Sequence, residues 1–86
     1  MSGIFRQYLK EQTNHPNAII VNRIGDFYEV FGITAKIVAD EMDFTLVSRD
    51  CGLTERVLMV GFPFCIRDEV VEKLREKYEV CVVENL

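Results

Sequence analysis

Read for the spacing of its apolar positions, the chain switches repeatedly between a helical and an extended period. Ile4, Phe5, Tyr8 and Leu9 recur at helical spacing with Ser2 placed as an N-cap, predicting a helix over about Ile4 to Gln12. Pro16 blocks its continuation. Ala18 to Ile24, "AIIVNRI", is short, branched and apolar, the composition of a strand. Gly25-Asp26 then suits a two-residue hairpin with glycine at the first central position, and "FYEVF" returns as a second strand ended by Gly32. Ile33, Ile37, Val38 and Met42 mark the face of a second helix, with Ala35 and Ala39 small enough for close packing. "FTLVS", Phe44 to Ser48, predicts a third strand, "RDCGLTER" a polar loop, and "VLMVGF" a buried fourth strand. Pro63 precedes a third helix over Ile66 to Lys77, with a stripe of Ile66, Val70, Val71 and Leu74; Glu79 to Glu84 is the last strand. Helices interspersed with a hairpin and single strands imply an α+β fold, an N-terminal helix and two further helices packed on a small mixed β-sheet.

The hairpin's second strand raises a question of chemistry. Residues two apart in a strand share a face, so Phe27 and Glu29 project together on one side, and Tyr28 and Val30 on the other. If Tyr28 and Val30 face the core, an aromatic ring and a carboxylate stand side by side next to the hairpin tip. The bland account makes Phe27 the cap of a small core and Glu29 a solvated acid, since singly exposed aromatics are common. The functional account makes the pair a contact surface. Alternation alone leaves both open.

Composition narrows the partners. At 86 residues the chain is expected to be one domain, 1–86, and its 49% hydrophobic and 28% charged content separates it from disordered chains. The apolar stretch "VLMVGFPF" is too short to cross a bilayer, and "MSGIFRQYLK" lacks the apolar core of a signal peptide, so a cytoplasmic protein with no membrane partner is expected. Cys51, Cys65 and Cys81 are odd in number, form no CxxC, and lie far in sequence from the single histidine, His15; neither a metal site nor a disulfide framework is expected. Nor is any cofactor or catalytic set. Ten Lys and Arg against fourteen Asp and Glu give a net charge of −4, whereas nucleic-acid binders draw most of their affinity from phosphate contacts. The acids concentrate from Asp40 onward, which leaves room for one weakly positive face near the N-terminus.

The stretch "QYLKEQTNHPNAIIVNRIGDFYEVFGITAKIVADEMDFTLVSR" resembles the start of the bacterial MutS mismatch-repair proteins, their mismatch-recognition domain (domain I). The likeness resumes at "VLMVGFPF", similar to that family's Met-Ala-Gly-X-Pro segment, and runs on to "VCVVE". It implies a fold of helices around a mixed sheet. It also implies that the family's Phe-X-Glu motif falls on Phe27 and Glu29, with Gly25 and Asp26 as the supporting turn and Tyr28 as an inward anchor. In the family the phenylalanine wedges into the minor groove and stacks on a mispaired base, while the glutamate hydrogen-bonds that base. A wedge costs a few kcal/mol of unstacking, least where pairing is already defective, and one stacked ring returns roughly 1–3 kcal/mol. The terms nearly cancel, so such a wedge discriminates without holding. The glutamate penalises sites that offer it no donor.

Departures from the family bound what the resemblance implies. No GxxxxGK[ST] occurs, so no ATPase is implied. Where the family has Leu-Thr-Lys-Arg, this chain has Leu46, Val47, Ser48 and Arg49; its Pro-Tyr-His becomes Pro63, Phe64 and Cys65. The expectation is a stand-alone, non-enzymatic module that contacts mismatched or distorted double-stranded DNA weakly by itself, nucleoid-associated when bound. The alternative is a protein-interaction or adaptor module that keeps the fold without useful DNA binding. Action beside a larger DNA-binding or repair protein would reconcile the two.

Overall fold

The computed structural model describes residues 3–84, so the cap expected at Ser2 lies outside the described residues. Helix α1 spans Gly3–Asn14 and hands over through the turn at Pro16 to β1, Ala18–Ile24. Gly25 takes φ +61°, the left-handed value that glycine adopts without a Cβ penalty, and the chain reverses into β2, Phe27–Phe31. Gly32, at φ +76°, swings directly into α2, Ile33–Met42; a Cβ there would also come within 3.1 Å of the Tyr8 hydroxyl. Asp43 closes α2 in the left-handed conformation, its N–H donating to the Ala39 carbonyl. Strand β3, Val47–Arg49, and β4, Val57–Pro63, follow; a short 3-10 turn, Phe64–Ile66, leads into α3, Arg67–Arg75, and the chain returns as β5, Glu79–Val83.

The strands form one mixed sheet in the order β3-β4-β2-β1-β5, antiparallel except for the parallel pair β1–β5. Both crossover helices, α2 and α3, pack on the same face. There Ile19, Val21, Tyr28, Val30, Val60 and Phe62 meet Ala35, Val38, Val70, Val71 and Leu74 in a closed core. On the opposite face α1 lays Phe5 and Tyr8 over Ala18, Ile20, Phe31 and Met59, with ring centroids of Phe5 and Tyr8 at 5.7 Å and 5.3 Å from Phe31. Each fully buried side chain of this size contributes about 1.5–3 kcal/mol relative to exposure.

The expected fold class holds, and most elements lie where the pattern put them. One strand does not. Phe44 to Ser48 was the expected span, but pairing begins at Val47, opposite Met59, and runs to Arg49. The left-handed cap at Asp43 turns the chain, and Phe44 and Leu46 pack on the core as coil, Phe44 stacking on Phe62 at 5.8 Å. The second helix also presents a narrower stripe than expected. Ile33, at its first position, is 81% exposed, and Ala35, Val38 and Ala39 carry the burial.

Candidate nucleic-acid interface

Register fixes what the hairpin displays. Phe27 stands opposite Ile24 on one side and Pro63 on the other; Glu29 stands opposite Asn22 and Gly61. Phe27, Glu29 and Phe31 therefore share the face that α1 covers, and α1 covers it at the Phe31 end. Phe27 lies four residues further along, roughly 13 Å at strand rise, and is 52% exposed. The tip is tied down around it. The Phe64 N–H donates to the Asp26 carbonyl at 2.9 Å, and Arg23 Nε donates to the Gly25 carbonyl at 2.5 Å. The exposed ring thus stands on a fixed backbone.

Glu29 differs from the solvated acid that alternation suggested. Its side chain is only 16% exposed and forms an ion pair through Oε1 with Arg49 at 2.5 Å. It leans across β4 at Gly61, where an added Cβ would touch Glu29 Cγ at 3.9 Å, and so reaches the next strand outward. The residue before Arg49 is tied to the loop: Arg56 donates to both the Ser48 hydroxyl, at 2.9 Å, and the Ser48 carbonyl, at 3.0 Å. Across the hairpin the fully buried Asn22 donates its amide N–H to the Glu29 carbonyl at 3.2 Å. Asn22 Oδ1 has no partner among the described residues, a cost of about 1–3 kcal/mol carried beneath the Glu29 backbone.

Tyr28 is the inward anchor. It is 1% exposed, stacks on Phe62 at 5.7 Å, and donates its hydroxyl to Glu84 at 2.7 Å. The Tyr28 hydroxyl bond, with Arg67 and Arg23 nearby, holds the Glu84 carboxyl below its ordinary range. The guanidinium of Arg23 lies over the Tyr28 ring at 5.5 Å and the half-exposed Phe64 ring at 5.0 Å, and pairs with Glu84 at 3.6 Å. Arg67 pairs with Glu84 at 2.8 Å and with Asp68 at 2.9 Å. Arg23, Arg49 and Arg67 all flank the hairpin, and all three spend their charge on carboxylates of the same chain.

Other residues singled out in the sequence settle differently. Among the acids of α2 and α3, Asp40, Asp68 and Glu69 are exposed, Asp68 pairing with Arg67, while the half-buried Glu41 pairs with Lys77 at 3.2 Å. Cys51 is 2% exposed and sealed in the α1-side core, and no cysteine is in a disulfide. The separation of His15 from the cysteines disappears on folding: donor atoms of Glu11, His15 and Cys81 lie within 4.8 Å of one another. Among the described residues no helix is long and apolar enough to cross a membrane.

Residues 2–86 match the family model of MutS domain I. The chain belongs to the MutS domain I family. Over its whole length it is 42% identical to the DNA mismatch repair protein MutS of Desulforamulus reducens and 40% identical to that of Caldanaerobacter subterraneus subsp. tengcongensis. Over 96% of its length it is 40% identical to the MutS of Bacillus cereus. In each case the chain spans about a tenth of the relative's length. The mixed sheet with its N-terminal helix and hairpin is thus the domain I fold of this family. Sequence reasoning missed the arginine that engages Glu29. Arg49 opens the stretch that the sequence presents as a polar loop, and nothing in a twenty-residue separation signals contact across an intervening strand.

Proposed function

We propose that this MutS domain I uses the hairpin tip to test double-stranded DNA for mispaired or distorted steps, Phe27 as the wedge and Glu29 as the hydrogen-bond acceptor. The observation that carries the reading is the exposure of Phe27 on an anchored backbone: an aromatic ring left half in water beside a carboxylate, when its strand neighbour Tyr28 is wholly buried. The face can insert a ring without repacking the core. Arg49 orients Glu29 through Oε1, which leaves Oε2 as the acceptor offered to a base. The pair is close to neutral as a unit, so Glu29 repels phosphate less than an unpaired carboxylate would. No catalytic step is assigned to these residues.

Holding the duplex is a different matter. The arginines around the tip are internally paired, and the chain carries a net charge of −4. The expected affinity for DNA is therefore in the non-specific range of ~10⁻⁴–10⁻⁶ M and falls steeply with salt. Grip would come from a larger DNA-binding or repair protein working beside this domain. The same charge pattern favours a second reading, an adaptor that keeps the fold and contacts protein only. Titration of labelled matched and mismatched duplexes at low salt separates the two. The wedge reading expects weak binding with a preference for the mismatch that Phe27→Ala removes; equal affinity for both duplexes in the parent chain would sink it.

A further inference from the structure

On the far side of the sheet from β3, the end of α1 meets the edge strand β5. Glu11 and His15 are four residues apart, and the His15 N–H donates to the Glu11 carbonyl at 2.9 Å, so the helical turn runs through both and sets their side chains on one face. Two metal-binding side chains at this spacing can share one ion, as in helical zinc motifs. The third donor comes from β5. Cys81 pairs with Ile20 and is partly buried against the core that α1 covers. The carboxylate, imidazole and thiol donor atoms all lie within 4.8 Å of one another.

This placement is built into the fold. Gln12 Nε2 donates to the carbonyls of both His15, at 2.9 Å, and Ala18, at 3.0 Å, and so fixes the turn between helix and strand. Ala18 is in register with Glu79 and Ile20 with Cys81, which sets His15 against β5. Tetrahedral zinc, with bonds of about 2.0–2.3 Å, needs donors roughly 3.5 Å apart. Closing to that distance asks about 1 Å of rotamer adjustment from His15, which is exposed, and from Glu11, which is half-buried.

We propose that Glu11, His15 and Cys81 form a binding site for a single divalent cation of the zinc class, with water in the fourth position. Thiolate and imidazole together select zinc or cobalt over magnesium or calcium. Binding deprotonates the Cys81 thiol, the proton passing to solvent, and two anionic ligands then balance the dication. The ion staples the C-terminal end of α1 to β5, which has no neighbour on its outer side among the described residues.

The test is a cobalt titration of the tag-free 86-residue chain under reducing conditions, followed in absorbance. The expected result is a saturable thiolate-to-cobalt band at one ion per chain, displaced by zinc. His15→Gln, a surface change that leaves the core intact, should weaken it by about tenfold or more, and Cys81→Ser should abolish it. Cys65→Ser should leave it unchanged, since Cys65 is outside the cluster. At zinc a hundredfold above its Kd, the melting temperature of the parent should rise by roughly 10 °C or more, and that of His15→Gln by far less. A chain that shows no thiolate band up to millimolar cobalt overturns the proposal. So does a band that survives both His15→Gln and Cys81→Ser, or one lost with Cys65→Ser. None of these outcomes bears on the DNA reading, which uses Phe27 and Glu29, neither of them in the cluster.

Discussion

Phe27 and Tyr28 are adjacent aromatic residues on one strand, and the fold treats them in opposite ways. Tyr28 is 1% exposed, stacked on Phe62 and hydrogen-bonded to Glu84. Phe27 is 52% exposed and caps nothing. The difference lies in what covers each face. Two crossover helices close the Tyr28 face along its length, whereas α1 alone covers the other and ends its coverage at Phe31. The Tyr28 face holds the sheet together; the end of the Phe27 face can be spent on contact. A ring left half in water beside a turn forgoes about half of the ~1.5–3 kcal/mol that full burial contributes.

The sharpest way to break this comparison is to truncate each ring in turn. Tyr28→Ala should destabilise the domain by about 3–5 kcal/mol, through the cavity it leaves and the loss of the Glu84 bond. Phe27→Ala should change stability by no more than about 0.5 kcal/mol, as a surface substitution. In binding the order reverses: Phe27→Ala should remove about 1–3 kcal/mol of preference for a mismatched duplex. Urea melts and duplex titrations of both variants decide it. If Phe27→Ala proves as destabilising as Tyr28→Ala, Phe27 belongs to the core and the wedge reading fails.

A smaller effect separates Glu29 from Arg49. Because the two neutralise each other, removing either exposes the other's charge to DNA. Glu29→Ala frees a guanidinium next to Phe27, so on the proposed reading affinity for matched duplex should rise and the slope of log K against log salt should steepen by about 0.9. Arg49→Ala leaves an unpaired carboxylate and should weaken binding to every duplex. Stability should move by no more than about 1 kcal/mol in Glu29→Ala, which leaves the better-solvated Arg49, and by more in Arg49→Ala, which leaves a carboxylate only 16% exposed without its partner. Like-signed changes in binding for the two variants would show that the ion pair does not face the DNA.

How much of this was legible beforehand differs along the chain. The three helices, the hairpin and the shared face of Phe27 and Glu29 follow from local rules, because period, turn chemistry and proline position all act over a few residues. The start of β3 did not follow, because the left-handed cap at Asp43 and the seat for Phe44 on Phe62 come from tertiary packing that overrides strand propensity. The same slip hid Arg49, and with it the half-buried state of Glu29. The proximity of His15 to Cys81 is longer-range still, set by a parallel pairing of β1 with β5 that no local pattern reports.

The smallest effect concerns how the Tyr28 side is fastened. Glu84 accepts the Tyr28 hydroxyl and two arginines, which lowers its folded-state pKa beneath the ordinary 4.5. A depressed carboxylate pKa means that the folded state binds the proton less readily than the unfolded chain does. The resulting stabilisation is fully present above the unfolded value and disappears as pH falls through the folded one. Glu84→Gln keeps an acceptor for Tyr28 but cannot be charged. At neutral pH the variant should therefore melt slightly below the parent, and the gap should close as pH drops well under 4.5. The Glu84 side chain is nearly half exposed, so the gap is expected to be modest and to shrink in high salt. A gap that stays constant into acid would mean that Tyr28 is fastened by its hydrogen bond alone, with no contribution from the arginines around Glu84.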